Sequence, residues 1–369
     1  MVCLARVLCY SLCMTPTITR TTAPKSRPPA DQLGFGRHFT DHMYMARYSQ
    51  AKGGWYSSEV VPYAPLAIDP CASVLHYGQA LFEGLKAFKQ IDGRIAVVRP
   101  DFNWQRMTSG ADRLCMEAPP KELFMQGLEA LLKVDQDWIP SEPGTSMYIR
   151  PTLIATEAFL GVRPSKEYIF FIVLSPVGNY YGTGSQAVRI WVEAEYTRAA
   201  PGGLGATKAG ANYAGSLKAA QIAKQKEFAQ VLWLDVTKKY IEEVGTMNVF
   251  FVIDGKVITP KLNGTILEGG TRAIAMDLLK KSGYAVQERL VSIDELRNSY
   301  STGDLTESFG TGTAAVITPI RDLTSETFTI DFDSSNPEGM GPVAAQLYEQ
   351  ITAIQTGRVK DTHKWLHFL

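Results

Sequence analysis

The chain has 369 residues, 45% of them apolar and 20% charged, with 37 basic residues balanced by 37 acidic ones. That length suits two domains better than one, and the composition is that of a globular protein. Zero net charge without a basic stripe argues against a nucleic-acid binder, and no apolar run approaches the roughly 20 residues needed to span a bilayer.

Residues 1–30 contain no acid but carry Arg6, Arg20, Lys25 and Arg27 among many threonines, serines and prolines. Such a composition suits an organellar transit segment, a disordered extension, or an overlong start ahead of Met14. The working expectation is a disordered extension over residues 1–32 that the fold can dispense with. Cys3, Cys9 and Cys13 fall in this stretch, leaving Cys71 and Cys115 in the body. No CxxC pair or Cys/His metal spacing occurs, so neither a disulfide scaffold nor a metal site is expected. A reducing compartment fits, either cytoplasm or an organelle if the tail is a transit segment.

Folded sequence is expected from Leu33. Strand-like runs are IAVVRP (95–100), SMYIRPTLIATE (146–157) and YIFFIVLSPVG (168–178). Helical patterns cover 101–116 and 121–134, the second with Leu123, Phe124, Leu128, Leu131 and Leu132 on one face. The glycine-rich stretch from Pro176 to Ser185 reads as an interdomain connection. Beyond it RIWVEAEYTRA (189–199) restarts as a strand. PGGLGATKAGANY (201–213) then leads into a helix at about 214–227. QVLWLD, YIEEVG, NVFFVID and KVITP (230–260) read as a β-meander with a hairpin turn at Asp254-Gly255. A further helix is expected from Gly270 to Ser282.

The chemistry-bearing residues lie in this second half. Lys208 sits among glycines, where a lysine is ordinarily a solvated loop charge. Glu242 and Glu243 alternate on a strand, so one is expected to face solvent and the other the interior, where a carboxylate needs a cationic partner. Gly269-Gly270-Thr271 opens a helix whose free N–H groups can bind an anion. Gly310-Thr311-Gly312-Thr313 offers hydroxyls and open backbone in the same style.

The block from Lys208 through Arg272, EVGTMNVFF above all, resembles fold-type-IV pyridoxal-phosphate enzymes. LHYGQALFEGLKAF (75–88), SMYIRP (146–151), QVLWLD, EEVGTMNVFF, FGTGTAA (309–315) and DTHKW (361–365) extend the likeness. From about Phe35 to its end the chain is similar to branched-chain-amino-acid aminotransferases. The D-amino-acid aminotransferases and aminodeoxychorismate lyases of the same fold fit less well in length and in the HYGQALFEG and EEVGTMN runs. A silent homologue is expected to lack the lysine or the pyridine partner, and both are kept here.

The resemblance implies an α+β protein with a small α/β domain (33–176), an interdomain loop (177–188) and a larger barrel-like cofactor domain with flanking helices (189–369). It implies pyridoxal 5′-phosphate held covalently by Lys208, which also moves protons, with Glu243 on the pyridine nitrogen and Tyr213 near the phenolic oxygen. Arg106, Thr313 and the backbone of Gly270 and Thr271 are implied to hold the phosphate. The substrate pocket is implied to take Phe35, Tyr77, Phe82, Tyr148, Tyr180, Thr246 and Ala314, with Arg150 receiving the side-chain carboxylate of glutamate. Tyr77, Leu160 and Val162 are implied to reach in from the second subunit of a homodimer. The implied reaction moves an amino group between leucine, isoleucine or valine and 2-oxoglutarate. The chain departs from the pattern at Ala211, at Gly270 where the family has an apolar residue, and at Ala315-Val316-Ile317-Thr318 where mammalian members have a redox CxxC. Thiol regulation is therefore not carried over, and Gly270 is expected to loosen the turn without abolishing the site.

Overall fold

The computed structural model describes residues 15–178, 187–332 and 339–369. Two nine-stranded sheets organise it. The first is almost wholly antiparallel and takes strands between Thr17–Ile18 and Glu167–Val177. Its centre is the long pairing of Ser146–Ala155 with Glu167–Val177, both mostly buried. Helices Pro100–Arg113 and Lys121–Val134 supply the apolar stripe of its core, where Phe124, Leu128, Leu131 and Leu132 are fully covered. Their positions follow from the 3.6-residue spacing read in the sequence.

The second sheet runs from Val188–Val192 to Thr329–Asp331. The expected meander is split within it. Gln230–Leu234 pairs with Ile241–Val244, and Asn248–Ile253 pairs with Lys256–Pro260, but no ladder joins the two hairpins. Instead Asn248–Ile253 pairs with Leu305–Gly312, and only an isolated bridge between Val244 and Met247 closes the curl. One core fills the curl, and helices Gly270–Lys281 and Pro342–Thr356 cover the outside. This curl explains a further departure from expectation: Glu242 and Glu243 are both buried, because the strand has protein on each face.

The C-terminus returns to the first sheet, where Leu366–Phe368 pairs with Ile95–Val98. Assigning all of 189–369 to one unit overlooks that strand. The described part of the N-terminal extension also differs from its expected disorder. Thr17–Ile18 pairs with Glu59 and Val60, and the Thr21 N–H donates to His42 Nε2 at 2.9 Å. Lys25 donates its N–H to Asp41 at 2.8 Å and stacks its ammonium on Tyr63 at 4.4 Å. Polar backbone ties hold a segment that has no periodic apolar face. Among the described residues, no helix is long and apolar enough to cross a membrane.

Three or four such ties contribute about 1–3 kcal/mol together. A chain beginning at Gln32 should therefore melt a few degrees below one beginning at Thr15. Equal melting temperatures in matched thermal scans would mean the segment contributes nothing.

Candidate active site

The site is assembled where the two sheets touch. The Phe82 N–H donates to the Lys208 carbonyl at 3.1 Å, and Leu81 bridges Ala209. Backbone pairing thus places Lys208 against the first sheet just before helix Gly210–Gln225 begins. Two further residues of the same run complete the junction. Glu83 has no exposed side-chain surface and accepts two bonds from Arg106, at 2.8 and 2.7 Å, and one from Asn103 at 2.7 Å. Gly84 leaves room that a Cβ would take from the Tyr148 hydroxyl, and its carbonyl accepts from Thr313 at 3.2 Å.

Arg106 comes from helix Pro100–Arg113 and reaches on to the Glu268 carbonyl at 2.6 Å. Burial works against its charge, and Glu83 more than restores it. Arg106 lines a cavity of about 490 Å³ with Gly270, Thr271 and Thr313, so the implied phosphate residues do converge. Gly270 begins a twelve-residue helix, whose free N–H groups face this cavity region with the positive end of the dipole. A Cβ at Gly270 would press on the Phe102 ring at 3.3 Å. The glycine thus stands in close approach to the Phe102 ring.

A second cavity of about 690 Å³ shares Gly84 and Thr313 with the first. Lys208, Tyr213, Phe35, Phe82, Tyr148, Arg150, Thr246 and Ala314 all line it. The Lys208 ammonium donates to the Tyr213 hydroxyl at 3.0 Å and lies 4.7 Å from the centre of the Phe82 ring. Burial, with the Arg106 charge adding to it, lowers the Lys208 amine to about 8. Burial also pushes the Tyr213 hydroxyl up to about 12.

Glu243 is 3% exposed. Burial pushes its carboxyl up, opposed by the Arg198 guanidinium at 3.2 Å and the Leu267 N–H at 2.7 Å. Both of these contacts use Oε1. Glu242, on the opposite face, accepts from the Thr265 hydroxyl.

Arg150 donates to the Tyr148 hydroxyl at 2.9 Å and lies 4.6 Å from the Phe82 ring centre. Its Nε is buried without a hydrogen-bond partner. Among the described residues no carboxylate braces it. Tyr77, Leu160 and Val162 do not line the cavity. They are exposed by 44%, 57% and 85%, with the Tyr77 hydroxyl bonded to the Leu160 carbonyl. Tyr180 lies outside the described residues.

Sequence reasoning missed Glu83, Gly84, Asn103 and Arg198. Glu83 had a legible signal: a carboxylate inside the apolar run from Leu81 to Phe88 must find a cation. Arg198 had none, since nothing in YTRA distinguishes it from a loop arginine.

Two outcomes follow. In protein stripped of cofactor, competitive amine labelling should give Lys208 a midpoint near 8, against about 10.4 for an ordinary lysine; a midpoint above 10 would remove the case for a desolvated amine. Glu83→Gln leaves Arg106 buried beside a neutral group, which costs roughly 3–5 kcal/mol. Its melting temperature should fall clearly, and an unchanged one would mean that water screens the pair.

The class IV amino-transferase model matches residues 80–323. "Branched-chain-amino-acid aminotransferase 2" of Bacillus subtilis (strain 168) is 49% identical over 95% of this chain and 96% of its own length. The crystal structure of Escherichia coli branched-chain amino acid aminotransferase superposes with a TM-score of 0.73 at 26% identity, covering 88% of this chain and 98% of that one. A T.th. branched-chain amino acid aminotransferase complexed with N-(5′-phosphopyridoxyl)-L-glutamate gives 0.71 at 25% identity, covering 89% and 98%. The lysine, its tyrosine and acid partners and the anion cradle thus stand within a matched fold, and the chain belongs to the class IV amino-transferase family.

Proposed function

We propose that the chain transfers the amino group of leucine, isoleucine or valine to 2-oxoglutarate, using pyridoxal 5′-phosphate held at Lys208. The observation that carries this reading is the cavity in which a desolvated lysine, three aromatic walls and an arginine with no carboxylate partner among the described residues meet. The cofactor fits the donor set. Arg106, Thr313 and the start of helix Gly270–Lys281 suit its phosphate, Glu243 its pyridine nitrogen and Tyr213 its phenolic oxygen. The phosphopyridoxyl-glutamate complexed with the T.th. relative supports both the cofactor and the acidic co-substrate.

When bound, pyridoxal phosphate supplies the electron sink that makes the substrate Cα–H bond acidic. The protein supplies the rest. Arg198 and the Leu267 N–H oppose the upward push of burial on Glu243, whose carboxylate would hold a proton on the pyridine nitrogen. An amine near 8 is partly deprotonated at neutral pH, so Lys208 Nζ can take the Cα proton and return it. Arg106 is fixed by Glu83 before any ligand arrives, which reduces the ordering cost of gripping a phosphate.

Phe35, Phe82 and Tyr148 select apolar side chains by burial, at about 0.8 kcal/mol per methylene. That is enough to separate leucine from alanine but not leucine from isoleucine. Glutamate must use the same cavity in turn, and a carboxylate left unpaired there costs several kcal/mol. Arg150, stacked between Phe82 and Tyr148 with no acid on it among the described residues, supplies its charge. The exposure of Tyr77, Leu160 and Val162 supports a homodimer in which they serve the partner's pocket.

A panel of amino donors with 2-oxoglutarate tests the reading. The yellow absorbance of the purified protein should bleach with leucine, isoleucine and valine; turnover only with D-amino acids or alanine would place the substrate elsewhere. Arg150→Met should raise KM for glutamate and 2-oxoglutarate at least about tenfold more than for leucine, since one partner of a charge pair is lost. Separate half-reactions decide it: equal losses on both substrates would make Arg150 structural.

A further inference from the structure

Lys86 lies on the strand Leu85–Lys89 with only 7% of its surface exposed. A buried ammonium ordinarily pairs with a carboxylate. Burial lowers its amine to about 8, and among the described residues no acid offsets this. Its Nζ donates instead to the Ala314 carbonyl at 2.6 Å, reaching from the first sheet to a turn of the second. Lys86 also lines the phosphate-side cavity with Arg99, Arg106, Gly270, Thr271 and Thr313.

The turn it touches joins Leu305–Gly312 to Val316–Thr324. That turn carries Thr313, which lines both cavities, and Ala314, which lines only the substrate cavity. It is strained. Val316 is β-branched yet has φ 64°, a conformation costing roughly 1–3 kcal/mol that persists only where neighbours hold it. Two bonds reach the turn from the first sheet, Lys86 to the Ala314 carbonyl and the Thr313 hydroxyl to the Gly84 carbonyl.

We propose that Lys86 is a positioning residue that ties the phosphate end of the site to the substrate wall, clamping the Ala314 carbonyl while its ammonium adds charge to the phosphate-side cavity. The proposal rests on the pyridoxal-phosphate reading above. With Arg99 and Arg106 it brings three cations to a cavity whose described lining holds no carboxylate; Glu83, Glu268 and Asp277 act on the two arginines from outside that lining, and Lys86 feels none of them.

Lys86→Met removes both charge and donor, whereas Lys86→Gln keeps an N–H donor one bond shorter without the charge. The readouts are calorimetric affinities of the full chain, freed of cofactor, for pyridoxamine 5′-phosphate and for pyridoxamine, and the KM for leucine. Lys86→Met should weaken pyridoxamine 5′-phosphate about tenfold, the scale of one charge-assisted contact, and leave pyridoxamine little changed. It should also raise the leucine KM several-fold with kcat near wild type. Lys86→Gln should restore the KM but not the phosphate affinity. A Lys86→Met protein changed only in melting temperature overturns the proposal, and so does lost phosphate affinity with an unmoved KM. If Lys86→Met folds poorly, unchanged phosphate affinity in Lys86→Gln overturns the charge role. Wild-type protein that fails to bind pyridoxamine 5′-phosphate overturns the cofactor reading itself, which the variants alone would not.

Discussion

Glu83 is a carboxylate with no access to water, and everything at the junction of the sheets is arranged around neutralising it. Its partner, Arg106, comes from a helix that packs on the first sheet, so the pair fixes that helix relative to the strand run from Leu81 to Phe88. The neighbours of Glu83 are committed by the same geometry. Phe82 pairs its backbone with Lys208, and Gly84 admits Tyr148 and accepts from Thr313. A shift of Glu83 would therefore move the lysine, the anion cradle and the substrate wall together. Isolated buried ion pairs are often no better than apolar contacts for stability. This one is better understood as specifying position, because its arginine is also one of the cations that line the cavity.

Arg99, Arg106 and Lys86 line the phosphate-side cavity, Lys208 lines the substrate cavity, and Glu243 is buried against Arg198. The balance of charge and burial explains the lysine. Desolvation and Arg106 disfavour its ammonium, while Glu83 partly opposes them, leaving the amine near 8 rather than fully neutral. A group that must accept and return a proton near neutrality is served by such a balance.

Much of this is legible in the sequence because local rules and the fold agree. The helices over 100–113 and 121–134, the hairpin at Asp254-Gly255 and the helix opening at Gly270 all follow from periodicity, turn chemistry and glycine placement. The strands Leu305–Gly312 and Val316–Thr324 are not foreseeable beyond a glycine-rich cradle, and the split meander reads as continuous. Both errors have one cause. Curling the second sheet inserts a late strand beside Asn248–Ile253, a pairing between distant segments that no local pattern records. The same curl buries Glu242 as well as Glu243, defeating the alternation argument. The resemblance places Arg106 at the cradle, but the physical demand that fixes it, the acid at Glu83, is visible only when the two elements meet.

The N-terminal stretch shows how polar ties can carry order into the pocket. The Thr21 N–H can only donate, so His42 Nε2 must accept and the ring proton must lie on Nδ1, facing Asp135 at 2.6 Å. Asp41 beside it accepts the Lys25 N–H on one oxygen and the Trp138 indole on the other, both at 2.8 Å. The backbone leading back from Asp41 is pinned again where the Gly178 N–H donates to the Gly34 carbonyl at 3.1 Å. Phe35 stands between these ties, flanked by Gly34 and Gly36 with φ of 58° and 67°, which turn its ring toward Tyr148 at a centroid distance of 4.9 Å. Side-chain packing alone does not set that aromatic wall. It is set by backbone bonds at both ends of a short loop, one end of which is held by residues whose composition reads as unstructured.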